Sequence, residues 1–254
     1  MKVITITNQK GGAGKTTTAA ALGAGLFLKG FSVLLIDLDP QGNLSYTLGA
    51  KPDRPTILGV LTGEVHPRDA IQNTPSGDII ATSKALSGAD AFIKDTGKEY
   101  RLREALELLK SQYDYIVIDT PPALGILTIN ALTACDSVII PAQADIYSLQ
   151  GIEQLAETMQ PVKKYCNPAL HISGILLTRY NPRSVLSRDI AELAEQLAAK
   201  LDTVLFKTTI RENIAVKEAQ ISQKQLYKYA PRAKATEDYI NFTNEFLKEE
   251  GNRK

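Results

Sequence analysis

One short stretch constrains this chain more than any other: Lys10-Gly11-Gly12-Ala13-Gly14-Lys15-Thr16-Thr17, set between an apolar β-branched run and an alanine-rich segment. The run Lys2–Thr7 reads as a strand and Thr18–Lys29 as a helix. Glycines at the junction permit a tight loop and let backbone N–H groups come close to an anion. The helix start adds unpaired N–H donors and the positive end of its dipole. Strand, glycine loop and helix in that order imply a phosphate-binding loop on a parallel α/β sheet. Lys15 is placed to reach the β- and γ-phosphates of a nucleotide and the Thr16 hydroxyl to ligate Mg2+, with Gly11, Gly12, Ala13, Gly14 and Thr17 completing the cradle.

The rest of the chain agrees with such a sheet. Further strand candidates are Ser32–Ile36, Asp78–Thr82, Tyr115–Ile118, Ser137–Pro141, Ile172–Thr178 and Val204–Thr208. Several are near-continuous apolar runs, such as Val33-Leu34-Leu35-Ile36 and Val138-Ile139-Ile140, as parallel strands covered on both faces require. Between them, Leu102, Ala105, Leu106 and Leu109 follow helical spacing, and so do Ile190, Leu193, Ala194 and Leu197. The alternation predicts an α/β fold, a doubly wound, mostly parallel sheet with helices on both faces. Residues 51–75 hold four prolines and read as an irregular excursion; with no repeat and no low-complexity linker, 1–254 is expected to be a single domain.

The ordinary phosphate loop has a glycine five positions before Gly14, where this chain has Gln9. A second lysine, Lys10, opens the loop instead. A cation at that point folds back poorly over its own loop, which makes the phosphates of a second subunit its target. Two predicted strands then run into aspartates: Asp37-Leu38-Asp39-Pro40-Gln41-Gly42-Asn43, and Asp119-Thr120-Pro121-Pro122. Carboxylates at the C-terminal edge of an open sheet, beside such a loop, suit Mg2+ and the water around it.

At these residues the chain resembles the deviant Walker A ATPases, whose loop reads Lys-Gly-Gly-x-Gly-Lys-Thr/Ser. The resemblance implies that Lys10 reaches the nucleotide of the partner in a face-to-face ATP sandwich homodimer. It identifies the Asp37–Asn43 segment with the family's first switch, assigning Asp39 to the attacking water and Asp37 to the magnesium environment. It identifies Asp119 with the Walker B aspartate, acting on Mg2+ through water, and the following Thr-Pro-Pro with the second switch. Lys10, Lys15 and Asp39 are then the catalytic set, turning ATP over slowly. Thr178-Arg179-Tyr180-Asn181-Pro182 closes a strand that in similar proteins lies beside adenine, and Asn181 is the expected base contact.

Branches of that family leave different marks. Iron proteins need paired cluster-ligating cysteines, whereas Cys135 and Cys166 are isolated and outside any metal spacing. Min-type membrane proteins end in a basic amphipathic helix. Here the last segment carries Glu245, Glu249 and Glu250, while Phe242, Phe246 and Leu247 are expected to pack inward; the Thr-Arg-Tyr-Asn-Pro run is the feature that keeps a Min-type alternative open. Partition ATPases bind DNA, and here the charge is informative. Overall the balance is 29 Lys+Arg to 28 Asp+Glu, a net +1. Within 207–234, however, stand Lys207, Arg211, Lys217, Lys224, Lys228, Arg232 and Lys234 against only Glu212 and Glu218. Arg183 and Arg188 precede them. Such a face neutralises phosphates without reading bases.

The resemblance is closest to ParA/Soj-type partition ATPases that lack an N-terminal helix-turn-helix domain. It implies non-specific DNA through Arg183, Arg188, Arg211, Lys217, Lys224, Lys228 and Arg232, and a centromere-binding adaptor of ParB type. One departure stands out. Where chromosomal members carry Ile-Pro-Arg-Asn, an arginine shortly after and then Glu-Ala-Pro, this chain has Ile210-Arg-Glu-Asn-Ile-Ala-Val-Lys-Glu-Ala-Gln220, with Ala215 in the arginine's place. That divergence points to a plasmid or mobile-element system, and a protein assembly is the other cargo alternative. The absence of a signal-like start or an apolar run near 18 residues predicts a cytoplasmic, nucleoid-associated protein without a stable membrane anchor.

Overall fold

In the computed structural model, which describes residues 1–94 and 96–252, strands and helices alternate as the apolar pattern implies. β1 (Lys2–Ile6) passes through the glycine loop into α1 (Lys15–Leu28), followed by β2 (Val33–Asp37), α2 (Asn43–Leu48) and α3 (Ile57–Thr62). A hairpin of β3 (Ile71–Thr74) and β4 (Gly77–Ile80) leads to α4 (Ala89–Phe92), α5 (Arg101–Glu107) and β5 (Tyr115–Asp119). Then come α6 (Ile126–Ala134), β6 (Ser137–Gln143), α7 (Ile146–Tyr165), β7 (His171–Thr178) and α8 (Val185–Lys200). Three helices close the described chain: α9 (Ile214–Ile221), α10 (Leu226–Tyr229) and α11 (Lys234–Asn252).

The strands form one sheet in the order β3-β4-β2-β5-β1-β6-β7, parallel throughout except for β3. Alternate residues of the central strands feed two separate cores. Leu34, Ile36, Ile116 and Ile118 face α5, α6, α7 and α8 through Leu102, Leu106, Leu132, Ile152 and Ile190. Leu35, Val117, Ile4 and Ile6 face α1 and the C-terminal helices through Leu22, Leu26, Tyr239, Phe242 and Phe246. Burial on both faces is why these strands run apolar through most of their length, up to the aspartates that end β2 and β5. No helix among the described residues is long and apolar enough to cross a membrane.

Two expectations are corrected. Val204–Thr208 forms no strand: it contributes only the isolated bridge of Leu205 to Ile175, and Ile210 bridges Thr178 just beyond it. The N–H groups of Lys207 and Thr208 turn away to the Glu245 carboxylate on α11, at 2.6 and 2.9 Å, and so cannot extend the ladder. The proline-rich 51–75 region is not wholly irregular either, since it contains α3 and β3. There the Gln72 amide both accepts from and donates to the Lys51 backbone, fixing the excursion against the sheet edge.

Register sets up the site. Asp37 pairs with Asp119 across β2 and β5, and Asp119 with Ile6 across β5 and β1. Both aspartates therefore end level with the start of the glycine loop, at the carboxyl edge where open α/β sheets place ligands.

Candidate functional site

The loop between β1 and α1 is held by its carbonyls. Gln143, at the end of β6, donates its amide to the Gly12 carbonyl at 2.7 Å. Thr178, at the end of β7, donates its hydroxyl to the Ala13 carbonyl at 2.9 Å, and the Lys15 ammonium lies 3.2 Å from the Lys10 carbonyl. Buried Asn8 accepts from the Lys10 N–H and donates to the Pro141 carbonyl. With its oxygens bonded outward, the loop is left to offer N–H groups to an anion. Gly12 and Gly14 adopt φ of 75° and 91°, a left-handed backbone that a side chain would strain.

A cavity of about 390 Å³ opens over this loop, lined by Gly11, Gly12, Gly14, Lys15, Thr16, Thr17 and Asp39 on its inner side. That volume suits a small organic ligand. Its outer wall is formed by Arg179, Ile210, Glu212, Asn213, Val216, Lys217 and Gln220. Asn181 is not among the lining residues. Its side-chain oxygen instead accepts from the Arg183 N–H at 3.1 Å, an Asx turn of the kind an Asn-Pro pair favours.

The three acidic groups have different surroundings. Asp37 is fully engaged: it accepts from the Asp39 N–H, the Ser45 N–H and the Ser45 hydroxyl, and so shapes the turn that carries Asp39. Burial raises its carboxyl to about 6, against the lowering effect of those bonds. Asp39 lines the cavity and accepts from the Gln41 N–H at 3.0 Å. Asp119 is wholly buried, and among the described residues no donor lies in good hydrogen-bonding geometry to either oxygen, although the Thr16 hydroxyl is close enough to act on it. Burial, then the neighbouring Asp37, pushes its carboxyl well above the usual range, with the Thr16 hydroxyl and the Lys15 ammonium acting in the opposite sense. Burial also lowers the Lys15 ammonium, opposed by Asp119 and Asp39. An orphaned buried carboxylate beside the first turn of α1 is the donor set that a hard, oxygen-seeking cation such as Mg2+ requires.

Lys10 points elsewhere. Its Nζ lies 2.5 Å from Asp145 Oδ2, at the N-cap of α7, and it does not line the cavity over its own loop.

The sequence compares with known proteins as this geometry suggests. Residues 1–172 match the AAA domain family AAA_31. The chain is 42% identical to the sporulation initiation inhibitor protein Soj of Bacillus subtilis, over 96% of this chain and 97% of that protein. The chain belongs to the ParA/MinD-type P-loop ATPase family. Against the chromosome partitioning protein ParA of Caulobacter vibrioides the identity is 38%, over 100% of this chain and 96% of the other. Among solved structures, the fold superposes with a TM-score of 0.86 on one titled cobyrinic acid a,c-diamide synthase from Mycobacterium smegmatis with bound ADP and magnesium; identity is 33%, covering 100% of this chain and 97% of that one. ATP and Mg2+ are the cofactors this family membership supports, with nucleotide hydrolysis as the activity.

The structure brings together the loop, Asp37, Asp39 and Asp119, and adds to them the loop contacts of Gln143, Thr178 and Asn8 and the outer wall, which sequence pattern alone does not place there. The predicted DNA residues Arg183, Arg188, Lys217, Lys224, Lys228 and Arg232 are all exposed. Arg211 differs from them. Its guanidinium is bound by Asp238, with Nε at 2.9 and 3.1 Å, and by Glu237 at 3.1 Å, which ties the 210–213 segment to α11. The two cysteines are far from this chemistry, with Cys135 buried and its thiol pushed up to about 12 by desolvation.

Proposed function

We propose that this protein is an ATP-dependent DNA-partition switch, and that the observation carrying this reading is the orientation of Lys10. Its ammonium stands outside the cavity of its own loop and pairs with Asp145, an ion pair it can exchange for phosphates presented by a second subunit. ATP would then assemble a sandwich homodimer in which each Lys10 completes the other's site. Within one subunit, Gly11, Gly12, Ala13, Gly14, Lys15, Thr16 and Thr17 would bind the phosphates, while Lys10 would reach those of the partner's nucleotide. Lys15 neutralises charge on the γ-phosphoryl group, and Asp39 orients the attacking water. Thr16 and, through water, Asp119 would hold Mg2+; Asp37 orders the turn that presents Asp39. When bound there, Mg2+ would supply charge neutralisation for the phosphates. With little covalent chemistry and a site completed in trans, turnover is slow, and an adaptor of the centromere-binding ParB type is the expected accelerator.

The dimer would pair two copies of the basic face that includes Arg183, Arg188, Lys217, Lys224, Lys228 and Arg232. Doubling the phosphate contacts makes non-specific DNA binding conditional on nucleotide. The nucleoid of the cytoplasm is where such a protein would reside. A membrane-surface role is disfavoured by α11, whose Phe242 and Phe246 are fully buried against the sheet rather than offered to lipid. The test is a pair of cosedimentation measurements with ATP, one with non-specific DNA and one with anionic vesicles, each at two salt concentrations. Pelleting with DNA that falls steeply with salt is expected; pelleting with vesicles alone overturns the reading.

A further inference from the structure

Helix α9 is both the outer wall of the nucleotide cavity and the carrier of Lys217, yet little holds it down. Its buried residues are two alanines, Ala215 and Ala219, while Ile214 and Ile221 are 65% and 73% exposed. One side-chain bond joins it to the phosphate loop: Gln220 Nε2 donates to Thr17 Oγ1 at 3.2 Å, across 203 residues of sequence. Gln220 stands where the resembled partition pattern has proline, a residue with no side-chain donor, so the bond is a feature of this chain.

The direction of that bond has a chemical consequence. A hydroxyl carries one hydrogen and two acceptor lone pairs. When the Gln220 amide donates to the Thr17 oxygen, Thr17 keeps its own hydrogen free. Both side chains line the cavity, and Thr17 sits in the first turn of α1, where the helix end already favours an anion. We infer that Gln220 is a positioning residue: it fixes the Thr17 hydroxyl as a donor to nucleotide phosphate and, through the same bond, makes the seating of α9 depend on nucleotide. This deepens the ATP-switch reading and rests on its nucleotide site, but not on DNA binding.

The experiment measures ADP affinity in the full chain for Gln220→Met, Gln220→Glu, Thr17→Val and the Gln220→Met/Thr17→Val double variant. Methionine keeps the bulk but loses the donor, and should raise the Kd about threefold to tenfold. Glutamate accepts where glutamine donates, so it draws the Thr17 hydrogen away and adds a negative charge; the Kd should rise by more than tenfold. In the Thr17→Val background, Gln220→Met should add less than about twofold, because the hydroxyl it acts through is gone. Hydrogen exchange of the α9 amides is the second readout. Saturating Mg-ADP should slow it in the wild type and leave it nearly unchanged in Gln220→Met. Equal penalties for Gln220→Met in both backgrounds, wild-type affinity in Gln220→Glu, or full nucleotide-dependent slowing in Gln220→Met each overturn the inference. Neither readout involves DNA, so a wild type that binds ADP but not DNA refutes the partition reading alone.

Discussion

The ammonium of Lys10 and the carboxylate of Asp145 lie 2.5 Å apart, and that same carboxylate caps α7 by accepting from the Ser148 N–H at 3.0 Å. Asp145 therefore does two jobs, holding Lys10 within its own subunit and starting a helix. Burial tends to raise its carboxyl, but Lys10 and Ser148 outweigh that and bring it below the usual range. For a lowered carboxyl the stabilisation is complete above the unfolded value of about 4 and is lost as pH falls through the folded one. At neutral pH the pair is thus intact. Asp145→Asn keeps the capping oxygen and removes the charge, so dimerisation with ATP, followed by analytical ultracentrifugation, should occur at a several-fold lower protein concentration. Asp145→Ala should show the same shift and also lose about 1 kcal/mol of stability with the cap.

Asp119 and Asp37 give the opposite pH dependence. Both carboxyls are raised by burial, Asp37 to about 6. The folded state then holds protons that the unfolded state releases, so stability is greatest below the unfolded value and declines as pH rises toward and through about 6. The nucleotide-free protein should consequently melt at a higher temperature at pH 5.5 than at pH 7.5. Asp119→Asn should raise the melting temperature at pH 7.5 and shrink the difference, because it removes a carboxyl whose ionisation burial and the neighbouring Asp37 oppose. The same variant should lose Mg-dependent nucleotide affinity, which separates a site held under strain for function from a merely structural aspartate.

Asp39 should behave differently: its side chain faces the cavity and, among the described residues, is bonded through Oδ1 to the turn that follows it. Asp39→Ala is expected to bind ATP with little change and remain able to dimerise, while turnover falls by about 10²–10⁴-fold, the usual worth of a positioned general base. Lys15→Gln should instead fail at nucleotide binding itself. Equilibrium binding of a fluorescent ATP analogue alongside phosphate release distinguishes these outcomes; normal turnover in Asp39→Ala would remove it from the mechanism.

What was legible in the sequence is what is local. The glycine loop announces itself because strand, turn chemistry and helix start are contiguous, and the aspartates because each ends an apolar run. The loop contacts of Gln143 and Thr178 are not legible in the sequence for a physical reason. Each is one residue at a strand end, and each meets the loop only because β6 lies next to β1 and β7 next to β6 in the sheet order, over 131 and 165 residues of separation. At Asn181, expected as the base contact, a local preference for an Asx turn engages the side-chain oxygen with the Arg183 N–H. Val204–Thr208 carries a strand's composition, but α11 supplies a better acceptor than the sheet edge.

Arg211 makes the same distinction testable on the basic face. Charge counting places it among seven cations in 207–234, yet its guanidinium is bonded on two sides by Asp238 and also by Glu237. Asp238 is buried, its side chain 8% exposed, so removing the arginine leaves a carboxylate with no counter-charge beside the nucleotide cavity. Arg211→Ala should therefore cost about 1–3 kcal/mol of stability in denaturant unfolding. It should leave the salt dependence of DNA binding unchanged, since a paired arginine releases no phosphate counterions. Lys217→Ala and Arg232→Ala, at exposed positions, should each leave stability within about 0.5 kcal/mol. Each should also reduce the slope of log K against log salt by about 1 per subunit contact. A salt slope that falls with Arg211→Ala and not with the two exposed variants would mean that the DNA face lies against α11 rather than along α9 and the segment before α11.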